Sequence, residues 1–197
     1  MAKLFFHYST MSAGKSLEII KVAYNYEVQN KQVLILTSQL DNRYQVGKIW
    51  SRTGFEKDAS LFNQATNLVK LVSNLAEKPN SILIDEAQFL TKEQVIQLTE
   101  IVDTYGITVM SYGLKNDSFN ELFEGSKYLL IYADNIKELK TECWYCHKKA
   151  MMNLRFDEQG KPVYSGNQVD IGGNEKYLPV CRKCYKEVTD FKQPKST

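Results

Sequence analysis

The chemistry-bearing residues nearest the start of the chain are Gly14-Lys15-Ser16, which end a loop of small residues. An apolar, aromatic run precedes the loop and an amphipathic helix is predicted after it, the layout of a phosphate-binding P-loop. In such a loop backbone N–H groups surround phosphates, Lys15 reaches the outer phosphates, and the Ser16 hydroxyl binds Mg²⁺. Ser9 stands where the usual pattern has its first glycine, which predicts a steric cost for its turn conformation. The alternative is an ordinary strand–turn–helix junction with a solvated lysine.

Two adjacent carboxylates, Asp85 and Glu86, directly follow the short apolar run Ile82-Leu83-Ile84. In P-loop enzymes an acidic residue at the end of a second core strand holds Mg²⁺, and Asp85 fits that role. Glu86 is then one residue further along, where it can act as the base that takes a proton from an attacking hydroxyl. The alternative is a solvated acidic pair that caps the next helix, and it would be preferred if the P-loop were absent.

Four cysteines form two pairs, Cys143-x-x-Cys146 and Cys181-x-x-Cys184. Two such pairs indicate tetrahedral Zn²⁺, and four thiolates leave no open position, so the metal is predicted to be structural. His147 is a less favoured ligand. A redox dithiol fits poorly, because two pairs are present and neither is expected to open a helix.

The composition is that of an ordinary globular protein, with 197 residues, 43% hydrophobic residues and a net charge of +2. The balanced charge gives no support for binding a nucleic acid polymer. No apolar run approaches the roughly 18 residues of a membrane span, and the N-terminus lacks the features of a signal peptide. We therefore expect a cytoplasmic protein, in which paired cysteines bind metal rather than form disulfides.

Apolar strand-like runs alternate with helical patterns along the first two thirds of the chain. This predicts an α/β fold with a mostly parallel sheet and helices on both faces. Thr91 and Gln94 predict a capped helix start, and the run from Tyr128 to Tyr132 is interpreted as a further strand. The polar segment from Ser38 to Lys57 shows no periodicity. The predicted domains are 1–140 for nucleotide binding and 141–190 for zinc, with 191–197 a flexible tail.

These motifs, in this order, resemble those of the type II (cytosolic-type, zinc-containing) thymidine kinases of bacteria or phages. The resemblance covers nearly the whole chain and rests on the following segments: Met11-Ser12-Ala13-Gly14-Lys15-Ser16, Asp41-Asn42-Arg43, Asp85-Glu86-Ala87-Gln88-Phe89, Tyr112-Gly113-Leu114, Ile171-Gly172-Gly173 with Tyr177, and the four cysteines. It implies a RecA-like P-loop fold and transfer of the ATP γ-phosphate to the 5′-hydroxyl of thymidine. It also implies a homotetramer and feedback inhibition by dTTP at the acceptor site.

The resemblance further implies a set of site residues. Glu86 is the catalytic base on the 5′-hydroxyl, and Asp85 and Ser16 serve Mg²⁺. The residues implied to bind ATP are Ser9, Thr10, Met11, Ser12, Ala13, Gly14, Lys15, Ser16, Asp85, Glu86, Ala87 and Gln88. Those implied to bind thymidine are Met11, Asp41, Arg43, Phe89, Leu114, Phe119, Ile171, Gly172 and Tyr177, with the base held by a lasso loop between the cysteine pairs.

One position departs from the family pattern. Ser118 stands where the family has a phenylalanine against the nucleoside, and Phe119 follows it. Our hypothesis is that Phe119 shifts by one residue to fill that space, the alternative being a wetter pocket that binds thymidine more loosely.

Two other functional classes account for part of the sequence. A RecA-like P-loop ATPase or motor would use the same loop and carboxylates without a nucleoside acceptor, although a motor would need a basic nucleic-acid surface. A non-catalytic zinc-binding module would explain the cysteines but would leave Lys15 and Glu86 without a role.

Overall fold

The computed structural model describes residues 1–41, 46–170, 172 and 176–189. In chain order its strands are β1 (Leu4–Ser9), β2 (Val33–Ser38), β3 (Lys48–Trp50), β4 (Glu56–Asp58), β5 (Ser60–Phe62), β6 (Ser81–Ile84), β7 (Thr108–Leu114), β8 (Asn135–Glu138), β9 (Met152–Arg155) and β10 (Tyr177–Val180). Its helices are α1 (Lys15–Glu27), α2 (Leu68–Ser73), α3 (Lys92–Tyr105), α4 (Glu124–Tyr132) and α5 (Arg182–Val188), with one 3-10 turn at Ala87–Phe89.

Six strands form one sheet in the order β5-β2-β6-β7-β1-β8, and every neighbouring pair is parallel. The central strand β6 is buried along its whole length, as expected for a parallel sheet that is covered on both faces. The predicted α/β class with a parallel sheet is confirmed.

Helices cover both faces of the sheet. On one face Ile19 and Ala23 of α1 pack against Ile35, Leu83 and Tyr112. On the other face α2, α3 and α4 enclose the larger core around β1 and β6. The helix start predicted at Thr91 is confirmed as a capping box, in which Thr91 and Gln94 satisfy each other's backbone N–H groups.

The strand predicted at Tyr128–Tyr132 is wrong, because this run lies in helix α4. A short apolar run does not distinguish a strand from a helix by periodicity, and here Leu129 is buried while Ile131 is exposed. Helix α4 comes very close to the 3-10 turn: a Cβ on Gly125 would lie 2.5 Å from the Ala87 carbonyl oxygen. The strand that follows is β8, an edge strand whose residues are mostly exposed and carry no apolar pattern.

The polar segment after β2 contains more structure than its sequence indicates. It forms the antiparallel hairpin β3–β4, and β5 then joins the edge of the main sheet. The hairpin packs on α1 through Ile49. Residues 42–45 lie outside the described residues, so the role inferred for Arg43 rests on the sequence alone.

The cysteines belong to a small separate core at the end of the chain. Strands β9 and β10 pair antiparallel, and Leu154, Val180 and Tyr185 pack with the cysteine side chains. We call the described residues from 141 to 189 the cysteine segment.

Ile171 and the predicted tail 191–197 lie outside the described residues. Among the residues that are described, no helix is long and apolar enough to cross a membrane.

Candidate active site

The loop between β1 and α1 has the conformation of an anion-binding turn. Its left-handed residues are Ser12 and Gly14, with φ of 62° and 80°. Ser9 is instead the last residue of an extended strand, so the predicted steric cost at this position is wrong. The Ser9 hydroxyl donates to the Thr10 carbonyl at 2.7 Å and accepts from Lys15 Nζ at 3.0 Å. The serine therefore contributes hydrogen bonds that a glycine could not make.

The carboxylate of Asp85 follows β6 and faces the start of α1. Ser16 Oγ donates to Asp85 Oδ2 at 3.1 Å, and Asp85 Oδ1 accepts the Glu86 backbone N–H at 2.9 Å. Burial, together with the negative charge of Glu86, raises the pKa of Asp85 to about 7, and the nearby Lys15 ammonium opposes that rise. A buried carboxylate beside a hydroxyl offers the hard oxygen ligands that Mg²⁺ prefers. These two residues therefore fit a divalent cation.

Glu86 occupies a strained and crowded position. Its φ is 53°, in the left-handed region that a residue with a side chain rarely adopts, and such strain is concentrated at functional sites. Gln88 Nε2 donates to Glu86 Oε2, while Gln88 Oε1 accepts the Leu114 N–H at 3.0 Å. A Cβ on Gly113 would lie 2.7 Å from Gln88 Oε1, so the glycine is what allows β7 to approach Gln88.

Two cavities meet at Glu86. The larger, which we call the loop cleft, encloses about 1240 Å³ including space open to solvent. The residues around it are Met11, Ser12, Ala13, Gly14, Lys15, Ser16, Leu17, Thr37, Asp41, Lys48, Ile49, Trp50, Ser51, Arg52, Thr53, Asp85, Glu86 and Leu114. Residues 11–16 of the predicted ATP-binding set line this cleft, whereas Ser9 and Thr10 are buried and do not line it.

The second cavity, which we call the inner pocket, encloses about 490 Å³. Its lining residues are Met11, Asp41, Glu86, Gln88, Phe89, Leu114, Asp117, Ser118, Phe123, Asn153, Gln168, Val169, Asp170, Gly172 and Tyr177. Among the residues that the structure describes, four line both cavities: Met11, Asp41, Glu86 and Leu114. Gln88 lines only the inner pocket, and Ala87 is fully buried in the 3-10 turn.

The aromatic wall of the inner pocket differs from the one inferred from the sequence. Phe119 does not line the pocket; its N–H bonds to the Asp117 carboxylate at 2.8 Å, and its ring lies beside Gly166. Phe123 lines the pocket instead and meets Phe89 edge to face at 6.0 Å. Sequence reasoning missed Phe123 because its only local signal is its place just before α4.

The loop that precedes β10 is held by a network around Asp170. The Asp170 carboxylate pairs with Arg155 and with Lys176, the latter at 2.5 Å. The Tyr177 hydroxyl donates to the Asp170 carbonyl oxygen at 2.6 Å. These contacts place the described part of the loop, including Gly172, against the inner pocket.

The four cysteine sulfurs converge at one point, where all lie within 4.8 Å of one another. Cys146 Sγ is 3.7 Å from both Cys181 Sγ and Cys184 Sγ. A tetrahedron with Zn–S bonds of 2.3 Å has edges of about 3.8 Å, so this donor set fits zinc. His147 is not part of the cluster. The expectation that neither pair opens a helix is wrong, since Cys181 caps α5, but the convergence of all four thiols still favours a metal over a dithiol.

A family model described as thymidine kinase matches residues 2–185 of this chain. The chain is 60% identical to a thymidine kinase of Shouchella clausii over 186 residues, which cover 94% of this chain and 97% of that protein. It is 58% identical to a thymidine kinase of Listeria monocytogenes, with the same coverage. Similarity to a thymidine kinase of Lactiplantibacillus plantarum, at 56% identity, covers both chains completely.

Proposed function

The chain belongs to the thymidine kinase family, and we propose that it transfers the γ-phosphate of ATP to the 5′-hydroxyl of thymidine. The single observation that carries the mechanism is the position of Glu86, which lines both the loop cleft and the inner pocket. A base at the junction of two cavities can serve a reaction between a ligand in each. The resemblance drawn from the sequence motifs is confirmed by the family match.

The loop cleft is the proposed site of the ATP triphosphate. The N–H groups of the loop and of the first turn of α1 face the phosphates, as at other helix N-termini. Lys15 supplies a positive charge, and Ser16 with Asp85 is proposed to hold Mg²⁺. The cation supplies neutralisation of charge on the transferring phosphoryl group.

The inner pocket is the proposed site of thymidine. Phe89 and Phe123 offer an aromatic wall for the pyrimidine ring, and Met11 and Leu114 offer apolar contacts. Gly172 and the Tyr177 ring belong to the proposed lasso, together with Ile171. Asp41 and Arg43 are proposed to lie near the sugar and the transferred phosphate.

In the proposed reaction Glu86 removes the proton from the 5′-hydroxyl of thymidine while the 5′-oxygen attacks the γ-phosphorus of ATP. The bond between the γ-phosphorus and the bridging oxygen of ADP breaks at the same time, so the products are dTMP and ADP. Gln88 holds the Glu86 carboxylate in position through its amide N–H, while its other end is fixed by Leu114.

We also propose the finer assignments that accompany this activity. Residues 1–140 form the nucleotide-binding domain, 141–190 form a domain organised by structural Zn²⁺, and 191–197 form a tail. The protein is proposed to act as a homotetramer in the cytoplasm, with dTTP as a feedback inhibitor. Exposed apolar side chains at Ile131, Tyr132 and Ile136 support a subunit contact near α4 and β8.

The test is ADP release measured with ATP and Mg²⁺, in parallel with thymidine, deoxycytidine and no acceptor. Thymidine-dependent release is expected. Release that is indifferent to the nucleoside would instead support an ATPase or motor, and no release under any condition would favour a non-catalytic zinc module.

A further inference from the structure

Asn153 is a buried polar residue that the proposed catalytic mechanism does not use. It lies in β9 of the cysteine segment, its neighbour Leu154 is part of the apolar core, and its exposed fraction is only 3%. A buried carboxamide is costly unless it is hydrogen-bonded. Its partner is distant in sequence: Asn153 Oδ1 accepts the backbone N–H of Met11 at 2.9 Å, across 142 residues.

The donor of this hydrogen bond belongs to the phosphate loop. Met11 directly precedes Ser12, the first left-handed residue of the turn, and Met11 lines both the loop cleft and the inner pocket. A backbone N–H can be satisfied only by the oxygen end of an amide, so this bond fixes the orientation of the Asn153 side chain as well as the position of the loop.

A second buried hydrogen bond joins the same two parts of the molecule. Tyr185, which follows Cys184 in α5, donates its hydroxyl to the Ser118 carbonyl oxygen at 2.7 Å. Ser118 lines the inner pocket but is far from the phosphate loop in sequence. A further, exposed hydrogen bond runs from Gln168 Nε2 of the cysteine segment to the Leu122 carbonyl oxygen at 3.4 Å. Of these three contacts, the Asn153 bond is the one that ends on the loop proposed to surround the triphosphate.

We propose that Asn153 is a positioning residue through which the cysteine segment sets the conformation of the phosphate loop. The cysteine cluster holds β9 and β10 beside the sheet, β9 presents the Asn153 oxygen, and the oxygen fixes Met11 N–H. Order in the cysteine segment is thereby transmitted to ATP binding, in addition to its direct contribution to the inner pocket. This inference rests on the proposed assignment of the loop cleft to ATP.

The experiment measures binding of a non-hydrolysable ATP analogue with Mg²⁺ and without nucleoside. Asn153→Leu removes the acceptor oxygen at similar volume, and we expect it to weaken analogue binding about fivefold or more, the effect of leaving a buried N–H unsatisfied. Tyr185→Phe is the matched control. It removes the buried hydrogen bond from Tyr185 to the Ser118 carbonyl oxygen, which also joins the cysteine segment to the rest of the protein but does not end on the phosphate loop. Its analogue affinity is expected to stay within about twofold of wild type.

If both variants bind the analogue as wild type does, Asn153 has no positioning role. It then contributes only to holding the cysteine segment against the rest of the protein or to the nucleoside pocket. Equal weakening of analogue binding in both variants would also overturn the proposal, because the effect would then come from general loosening of the contact between the cysteine segment and the rest of the protein. The thymidine-dependent activity of the wild-type enzyme tests the proposed function separately, since analogue binding does not require a nucleoside.

Metal content is measured in both variants, because loss of zinc from Asn153→Leu would confuse the comparison. Hydrogen–deuterium exchange of the wild-type protein then tests directly whether order in the cysteine segment protects the Met11 amide. The Met11 amide is expected to be protected and to lose its protection when a chelator removes the metal, while β6 stays protected. A Met11 amide that exchanges freely in the metal-loaded protein would overturn the proposal.

Discussion

The Gln88 side chain joins the Glu86 carboxylate to the end of β7. Its Nε2 donates to Glu86 Oε2, its Oε1 accepts the Leu114 N–H at 3.0 Å, and it is 98% buried, with only 2% exposed. Both ends of the amide are therefore engaged by the protein. The sequence resemblance implies that Gln88 is among the nucleotide-binding residues, whereas its contacts favour a role in holding the proposed catalytic base, Glu86.

Replacing Gln88 by leucine is expected to lower kcat about 10- to 100-fold with little change in the KM for ATP. The substitution removes the hydrogen bond from Gln88 to Glu86 and leaves the Leu114 N–H without the Gln88 acceptor, a loss of about 1–3 kcal/mol. Steady-state kinetics in which the concentrations of ATP and thymidine are both varied measures kcat and the two KM values separately.

Gln94→Leu is the control for this variant. Gln94 is a buried glutamine in the α3 capping box, where it bonds to the Asn63 and Thr66 carbonyls and not to the site. The Gln94→Leu variant is expected to have a lower melting temperature but an unchanged kcat. Equal kcat losses in both variants would mean that Gln88 acts through stability alone.

Glu86→Gln is expected to reduce kcat by about two to four orders of magnitude, which is the usual contribution of a general base. The amide keeps the shape of the side chain but cannot take up the proton of the 5′-hydroxyl. Binding of ADP, measured by calorimetry, should be retained. A variant with near-normal kcat would remove Glu86 from its proposed role.

The motifs from which the candidate site was predicted are each contiguous in sequence. Gly14-Lys15-Ser16 and Asp85-Glu86 each follow a buried strand, and the carboxyl ends of parallel strands meet at one edge of the sheet. Thr91 and Gln94 are likewise a local signal, since a capping box depends on residues three apart.

The parts that were missed depend on packing over long sequence distances. Nothing near Asn153 indicates that its partner is Met11, and Phe123 reaches the inner pocket only because α4 packs against the 3-10 turn. The run at Tyr128–Tyr132 was misassigned because its apolar residues suit either a strand or a helix. The exposed strand β8 has no apolar pattern to mark it.

Phe123 and Phe119 give a matched test of the aromatic wall. Phe123→Leu is expected to raise the KM for thymidine about fivefold to tenfold, because an aromatic contact with the base is lost. Phe119→Leu is expected to change it less than about twofold, since Phe119 does not line the pocket. The reverse order of effects would restore the hypothesis that Phe119 shifts into the space beside Ser118.

Removal of zinc is expected to unfold the cysteine segment and to weaken thymidine binding. The described part of the segment has a small core, which includes the cysteines themselves, so we expect a bound metal to supply most of its stability. Cys184→Ser should have the same effect as a chelator, whereas His147→Gln should retain the metal. Thymidine affinity that is unchanged after verified metal loss would contradict this prediction.

His7 gives a prediction for the pH dependence of stability. Burial lowers the pKa of His7, the positive charge of Lys137 lowers it further, and Glu18 partly opposes both. As pH falls below about 6.5, the unfolded chain takes up a proton at this position more readily than the folded protein does. The contribution of His7 to the free energy of unfolding is therefore present above that pH and is lost as the pH falls.

His7→Phe is expected to reduce the loss of stability between pH 7.5 and pH 5.5, because it retains an aromatic contact with Tyr112, whose ring centroid is 4.6 Å from that of His7, without a titrating group. Denaturant unfolding at several pH values measures the difference between variant and wild type. The raised pKa of Asp85 acts in the opposite direction but is common to both proteins. His147→Gln, at an exposed histidine, should follow the wild-type curve. A His7→Phe curve parallel to wild type would show that this histidine does not couple folding to pH.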